Sequence, residues 1–240
     1  MDPFRLFVGD LHAGALSGLT TKPQNDRQAW LIDTWAAMVK RALALAQGHE
    51  FGLMLGGDLV DTPSKAARDD AAALLQPLAN AAASVWGVPG TEYHVGDDGE
   101  EDRTVYDMLG ARGERQRQVH RLKIGGRVLW WAHHAIRLGG QPWTETDGLY
   151  RGAKAAHEFA RNQDQTPPDL VVGHHVHRAP GVTQYKSTRA VVCPCWQLQT
   201  PFGAKIVSWS LPTIGAVAWW PAQDRLELMT YAIPPELISA

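Results

Sequence analysis

The sequence predicts a single-domain α/β protein in which two mixed β-sheets pack together with helices outside them, a four-layer α/β/β/α sandwich. Three observations carry this expectation. The first two thirds of the chain alternate short apolar runs with longer segments of helical periodicity. Two of the apolar runs flank Gly125-Gly126, a two-residue connection suited to a tight hairpin, so the sheets are not purely parallel. The C-terminal third is almost entirely strand-like, which calls for a second β layer.

In chain order, FRLFVGD (4–10) reads as a short buried strand, and DRQAWLIDTWAAMVKRALALAQG (26–48) as a helix running to a glycine stop. FGLMLGGDLVD (51–61) is a second buried strand ending in glycines and carboxylates. The Ala-rich helix SKAARDDAAALLQPLANAAA (64–83) follows with Ser64 as its N-cap, and SVWGVPG (84–90) is a third strand. Beyond the acidic stretch DDGEED (97–102), VHRLKI and RVLWWAHH form the hairpin. GLYRGAKAAHEFARNQ is a helix, TPPDLVVGHH a strand, and TRAVVCPCWQ, AKIVSWSLP, GAVAWWP and LELMTYAIP read as further strands. No repeat, linker or low-complexity tract divides the chain, so residues 1–240 are expected to form one domain.

Composition narrows the function classes. Hydrophobic content of 45% with 20% charged residues belongs to a packed globular protein and not to a disordered one. A net charge of -2 provides no broad attraction for nucleic acid. No run reaches membrane-spanning length and MDPFRLFVGD enters a strand at once without a leader pattern, so a cytoplasmic protein without membrane contact is expected. Cys193 and Cys195, two positions apart around a proline, read as small buried residues and not as a bridge or zinc pair.

The chemistry is concentrated where strands end. Asp10 and His12 close the first strand, Asp58 and Asp61 the second, His133 and His134 the hairpin, and His174, His175 and His177 the strand of LVVGHHVHRAP. Seven of the ten histidines (12, 94, 133, 134, 174, 175, 177) fall in such blocks. Strand C-terminal ends are where ligands gather in α/β sheets, so groups distant in sequence can converge there. Alternate residues of an extended segment point the same way, which lets Asp10 and His12 serve one ion. Carboxylates mixed with imidazoles suit a two-ion hydrolytic centre of Mn, Fe, Ni, Co or Zn better than Ca or Mg.

In these blocks the chain resembles the calcineurin-like metallophosphoesterases, whose ordered motifs are G-D-x-H, G-D, G-N-H-[DE], H and G-H-x-H. The matches are Gly9-Asp10-Leu11-His12, Gly57-Asp58, a divergent Gly90-Thr91-Glu92-Tyr93-His94, His133, and His175-Val176-His177. GTEYHVG, PDLVVGHHVHR and PCWQLQTPFG are similar to the subset of that family found in phages and prophages. The resemblance implies a metallophosphoesterase-like fold and two divalent metal ions. Asp10, His12, Asp58 and His177 would serve one ion, Asp58 would also reach the second, and His133 and His175 would belong to that second ion. His134 is the alternate to His133. Where the family has Asn and His, this chain has Thr91 and Glu92. Glu92 or Thr91 is expected to supply the missing oxygen ligand, and His94 the general acid.

The expected activity is hydrolysis of a phosphodiester or phosphomonoester, nucleotide substrates foremost, by direct attack of a metal-bridging hydroxide. A DNA or RNA nuclease is the alternative, and a metal-bound binding module of little catalytic power a further one. Asp61 is expected to act as a helix cap or an acceptor behind a ligand, and His49, His120 and His157 to be ordinary. Arg137 and Arg178 are candidate phosphate forks, with solvated or salt-bridged guanidinium groups as the alternative. Trp130-Trp131 and Trp219-Trp220 point to opposite faces of their strands, and an exposed member of each pair would suit a homodimer.

Overall fold

A computed structural model describes residues 4–46, 49–96, 98–113, 119–139, 141, 144–206 and 210–238. The first sheet contains β1 (Phe4–Val8), β2 (Phe51–Leu55), β3 (Ser84–Gly87), the two-residue β4 (Arg112–Gly113), β10 (Ile214–Trp220) and β11 (Arg225–Tyr231). Its strand order is β11-β10-β1-β2-β3-β4. β1, β2, β3 and β4 run parallel, whereas β10 is antiparallel to both β1 and β11. The second sheet, ordered β5-β6-β7-β9-β8, contains β5 (His120–Ile124), β6 (Arg127–Trp131), β7 (Leu170–Gly173), β8 (Val182–Tyr185) and β9 (Thr188–Val192). Both sheets are mixed, as expected. Gly125 and Gly126 close the β5-β6 hairpin with φ of 56° and 81°, the left-handed pair that matches strand twist.

Three apolar clusters define four layers. Phe7, Met54, Val217 and Trp219 of the first sheet meet Leu129, Trp131, Val172 and Val191 of the second in the central cluster. The outer face of the first sheet packs on α1 (Asp26–Leu45), α2 (Lys65–Ala81) and α4 (Glu100–Met108). The outer face of the second packs on α5 (Glu145–Asn162). β2 is buried at all five positions because both its faces are covered, which explains why FGLML reads as an uninterrupted apolar run. Asn25 caps α1 and Ser64 caps α2, each accepting a backbone N–H from three residues on.

Some expectations are corrected. AKIVSWSLP is not a strand through its first residues: α6 (Pro201–Ile206) begins behind Thr200, whose Oγ1 accepts from Gly203 N at 3.0 Å, and residues 207–209 lie outside the described set. Thr200 as cap and proline at the first helical position outweigh the apolar pattern. The acidic stretch is partly helical, Glu100 to Asp102 forming the first turn of α4, and Asp97 lies outside the described residues. All four paired tryptophans are buried, at most 6% exposed. Trp130 packs toward α5 and Trp131 toward the other sheet, and Trp219 and Trp220 divide in the same way, because each sheet is covered on both sides. The pairs therefore offer no exposed indole to a second subunit. Among the described residues no helix is long and apolar enough to cross a membrane.

Candidate metal centre

The blocks converge at one edge of the two sheets. Asp10 and His12 follow β1, Asp58 follows β2, Thr91 to His94 lie beyond β3, His133 and His134 follow β6, and His174 to His177 follow β7. Backbone bonds tie these loops together: Asp10 N donates to Gly57 O at 2.8 Å, His12 N to Asp58 O at 3.0 Å, and His174 N to His133 O at 2.9 Å.

The loop backbones are strained where the candidates sit. Eight described residues other than glycine have positive φ, and five of them are Asp10 (51°), His12 (49°), Asp58 (48°), His175 (73°) and His177 (55°). Left-handed backbone at a side-chain-bearing residue costs about 1 kcal/mol or more, and it gathers at functional sites because surrounding structure must enforce it. Here it turns side chains from successive loops into one space.

Two groups of donors result. In the first, the Nε2 atoms of His12 and His177 lie 3.1 Å apart, and Asp10 Oδ1 is 3.5 Å from His177 Nε2. His12 Nδ1 faces Asp61 Oδ1 at 3.2 Å; a carboxylate only accepts, so Nδ1 carries the proton and Nε2 presents a lone pair. Asp61 thus accepts from His12 and holds its ring from behind, the acceptor role expected of it. In the second group, His133 Nε2 lies 3.0 Å from Asp58 Oδ2 and 4.0 Å from Asp10 Oδ1, while its Nδ1 donates to Gly56 O at 2.5 Å. His134 and His175 place ring nitrogens within ion-sharing reach of His133. Asp10 recurs beside both His177 and His133 and is a carboxylate that two ions could share, as is Asp58, to which the sequence assigns that role and which interacts with His133 and His12 alike.

Thr91 and Glu92 part ways. Thr91 Oγ1 donates to Asp58 Oδ2 at 2.9 Å and lies 3.3 Å from His133 Nε2 and 3.1 Å from His175 Nδ1, while Thr91 N donates to Asp58 Oδ1 at 2.6 Å. Glu92, on the short helix α3 (Glu92–Val95), is exposed and belongs to none of the donor groups found among the described residues. The oxygen beside the second group is therefore that of Thr91. His94 is half-buried against His12, ring centroids 4.7 Å apart, and its Nδ1 donates to Asp61 O at 2.9 Å. His12, Asp61 and His94 form a further grouping, which this donor-acceptor chain already satisfies.

Asp102 escaped the sequence reading. Buried completely on α4, it accepts from Asp58 N at 3.1 Å, Leu59 N at 2.9 Å and Gly90 N at 2.9 Å, tying the second and third loops together. Only its place in an acidic run was visible, and acidic runs are ordinarily solvated. The two guanidinium candidates differ: Arg178 is paired with Glu145 at 2.7 Å, and Arg137 is exposed.

Electrostatics follow from burial. Burial raises the Asp10 carboxyl, but contacts from His174, His177 and His133 outweigh it and hold Asp10 well below the usual range. Asp58 is likewise lowered against its burial, by His133 and His12. Burial lowers His133, but Asp58 and Asp10 push it up to about 9, whereas burial and its imidazole neighbours bring His134 down to about 4. Burial and the Asp58 charge push Asp102 up to about 7. Buried carboxylates beside converging lone pairs are a donor set that fits divalent cations, and without them a proton on His133 supplies the positive charge.

No family model matches the chain, and no curated protein matches it. Among solved structures it is similar to Vps29 of Chaetomium thermophilum, with 12% identity over 98% of this chain and 99% of that one, at a TM-score of 0.46. It is similar also to a 5'-nucleotidase of Candida albicans, with 10% identity, 99% and 52% coverage, and a TM-score of 0.49. A third is the Thermus thermophilus sulfate thiohydrolase SoxB, with 14% identity, 95% and 56% coverage, and a TM-score of 0.43. The chain spans a little over half the length of the last two.

Proposed function

We propose that this chain is a metal-dependent phosphoesterase with two divalent ions, hydrolysing phosphodiesters or phosphomonoesters of nucleotide type. The observation that carries the reading is the convergence of His12, His177, Asp10, Asp58, His133 and His175 from loops at one sheet edge, five of the six on strained backbone. Asp10, His12 and His177 would hold one ion; Asp58, His133 and His175 would hold the other, with Asp10 shared and His134 and Thr91 beside it. Ions bound there supply positive charge for phosphoryl oxygens and lower the pKa of water toward neutrality.

The remaining work falls to the protein. Asp61 keeps the His12 Nε2 lone pair turned inward, and Gly56 O does the same for His133. His94 keeps Nδ1–H on Asp61 O, so its Nε2 is the nitrogen that can carry a proton to a departing alkoxide. Thr91 holds Asp58 through two hydrogen bonds, compensating in rigidity for the amide ligand that the resembled motif has at this position.

The test is hydrolysis of bis-p-nitrophenyl phosphate and of p-nitrophenyl phosphate with Mn²⁺ or Zn²⁺, for the protein and its His175→Ala variant. Metal-dependent turnover that the variant loses supports the reading. Equal, negligible rates in both would favour a binding module.

A further inference from the structure

His174 occupies a position that the ligand groups leave out, yet it is the most enclosed imidazole of the cluster, with no exposed surface. Its ring fills a notch made by two glycines: a Cβ on Gly9 would lie 2.7 Å from His174 Nδ1, and one on Gly56 would lie 2.0 Å from Cε1. Both strand ends of the first sheet thus omit side chains to admit a ring from the second.

The ring's polar atoms are specified. Trp131 Nε1–H lies 3.3 Å from His174 Nε2, and an indole nitrogen can only donate. His174 Nε2 must then accept, which puts the ring's proton on Nδ1. Nδ1 faces Asp10 Oδ2 at 3.5 Å, an electrostatic contact longer than a good hydrogen bond, and has no hydrogen-bond partner among the described residues. The backbone N–H of His175 adds contacts of 3.1 Å to Asp10 Oδ1 and 3.3 Å to Oδ2. Oδ1 is the oxygen turned toward His177 and His133, at 3.5 and 4.0 Å.

We infer that His174 is a positioning residue: keyed by Trp131 into its Nδ1–H form, it restrains Asp10 Oδ2 and thereby presents Oδ1 to the ion site. This deepens the metal-centre reading and rests on it. A tryptophan of the intersheet core would in this way set the orientation of the carboxylate shared by both donor groups.

Two polar substitutions separate the ends of the ring. His174→Asn keeps an N–H at the Nδ1 position, facing Asp10, and gives up the Trp131 contact. His174→Gln keeps an acceptor near the Nε2 position, facing Trp131, and gives up the Asp10 contact. Zn²⁺ affinity by calorimetry, with metal-free thermal midpoints alongside, is expected to fall roughly 10–100-fold in the Gln variant and to stay within about threefold in the Asn variant. Equal affinities in the two variants overturn the inference, even if both melt earlier than the parent. Failure of the parent protein to bind Zn²⁺ would overturn the metal-centre reading instead. The ring's protonation is read independently by long-range ¹H–¹⁵N NMR of the metal-free parent and of Trp131→Phe. An Nδ1–H ring in the parent that loses this preference in Trp131→Phe supports the relay; an Nε2–H ring in the parent overturns it whether or not the substituted proteins fold.

Discussion

His12 and His177 face each other through their Nε2 atoms at 3.1 Å, across 165 residues of chain. Asp61 takes the His12 Nδ1–H, so at least one of these two nitrogens is a bare lone pair, and Asp10 Oδ1 lies beside them. Lone pairs aimed at one another repel unless a cation or a proton stands between them.

Replacing His177 by Ala removes one donor of this group. The variant is expected to bind about one fewer Mn²⁺ per chain by mass spectrometry of metal content and to hydrolyse phosphodiesters at least ~100-fold more slowly. Its metal-free melting temperature should change little, since the side chain is partly exposed. Undiminished metal content would exclude His177 as a ligand.

Ion binding should depend on pH through His133. In the metal-free protein its pKa is raised from 6.5 to about 9, so a cation must displace its proton, and affinity should rise by about tenfold per pH unit from neutrality to pH 9. Titration calorimetry in buffers of different ionisation enthalpy will show the released proton. A flat affinity profile over that interval would contradict the assignment.

The same shift governs metal-free stability. The folded pKa of His133 lies above its unfolded value, so its stabilisation is complete below pH 6.5 and disappears as pH rises through 9. Asp102 acts in the same direction at lower pH: its folded pKa of about 7 exceeds 3.8, so stability declines as pH rises between these values. Asp10 and Asp58, lowered in the folded state, lose their contribution only as pH falls below the ordinary carboxylate range. Calorimetric midpoints of chelator-treated protein should therefore fall from pH 6.5 to 9.5, and saturating Zn²⁺ should remove the His133 part of the fall.

Asp102→Ala strands three buried backbone N–H groups at once. Relief of the buried charge offsets part of the cost, leaving a net destabilisation on the order of 3 kcal/mol in urea titrations. Metal affinity should fall as well, because the loops bearing Asp58 and Thr91 lose their common tie. An unchanged urea midpoint would show that the loops hold their places without it.

For His94→Gln, the prediction turns on the leaving group. With an alkoxide leaving group kcat should fall ~10²–10⁴-fold with KM little changed, whereas p-nitrophenolate, which departs without a proton, should show a much smaller loss. Equal losses for the two would assign His94 to binding or structure instead of proton transfer.

The layers, and the residue types gathered at the candidate site, are legible from the chain alone. Buried central strands such as FGLML must read as apolar runs, and loops that hold ions must carry carboxylates and imidazoles, so Asp10, His12, Asp58, His133, His175 and His177 were legible as residue types at strand ends. Where each side chain points and what it touches depends on how the sheets and helices pack. That Thr91, and not Glu92, supplies the oxygen beside His133 depends on which way one turn of chain points after β3. Asp102 became part of the site only when α4 laid its first turn behind Asp58, and His174 only when two glycines and an indole closed around its ring. Periodicity and motif order report which side chains share a face or a loop. The direction of a side chain on left-handed backbone, and the partner that orients it from 40 or more residues away, are set by packing between the sheets.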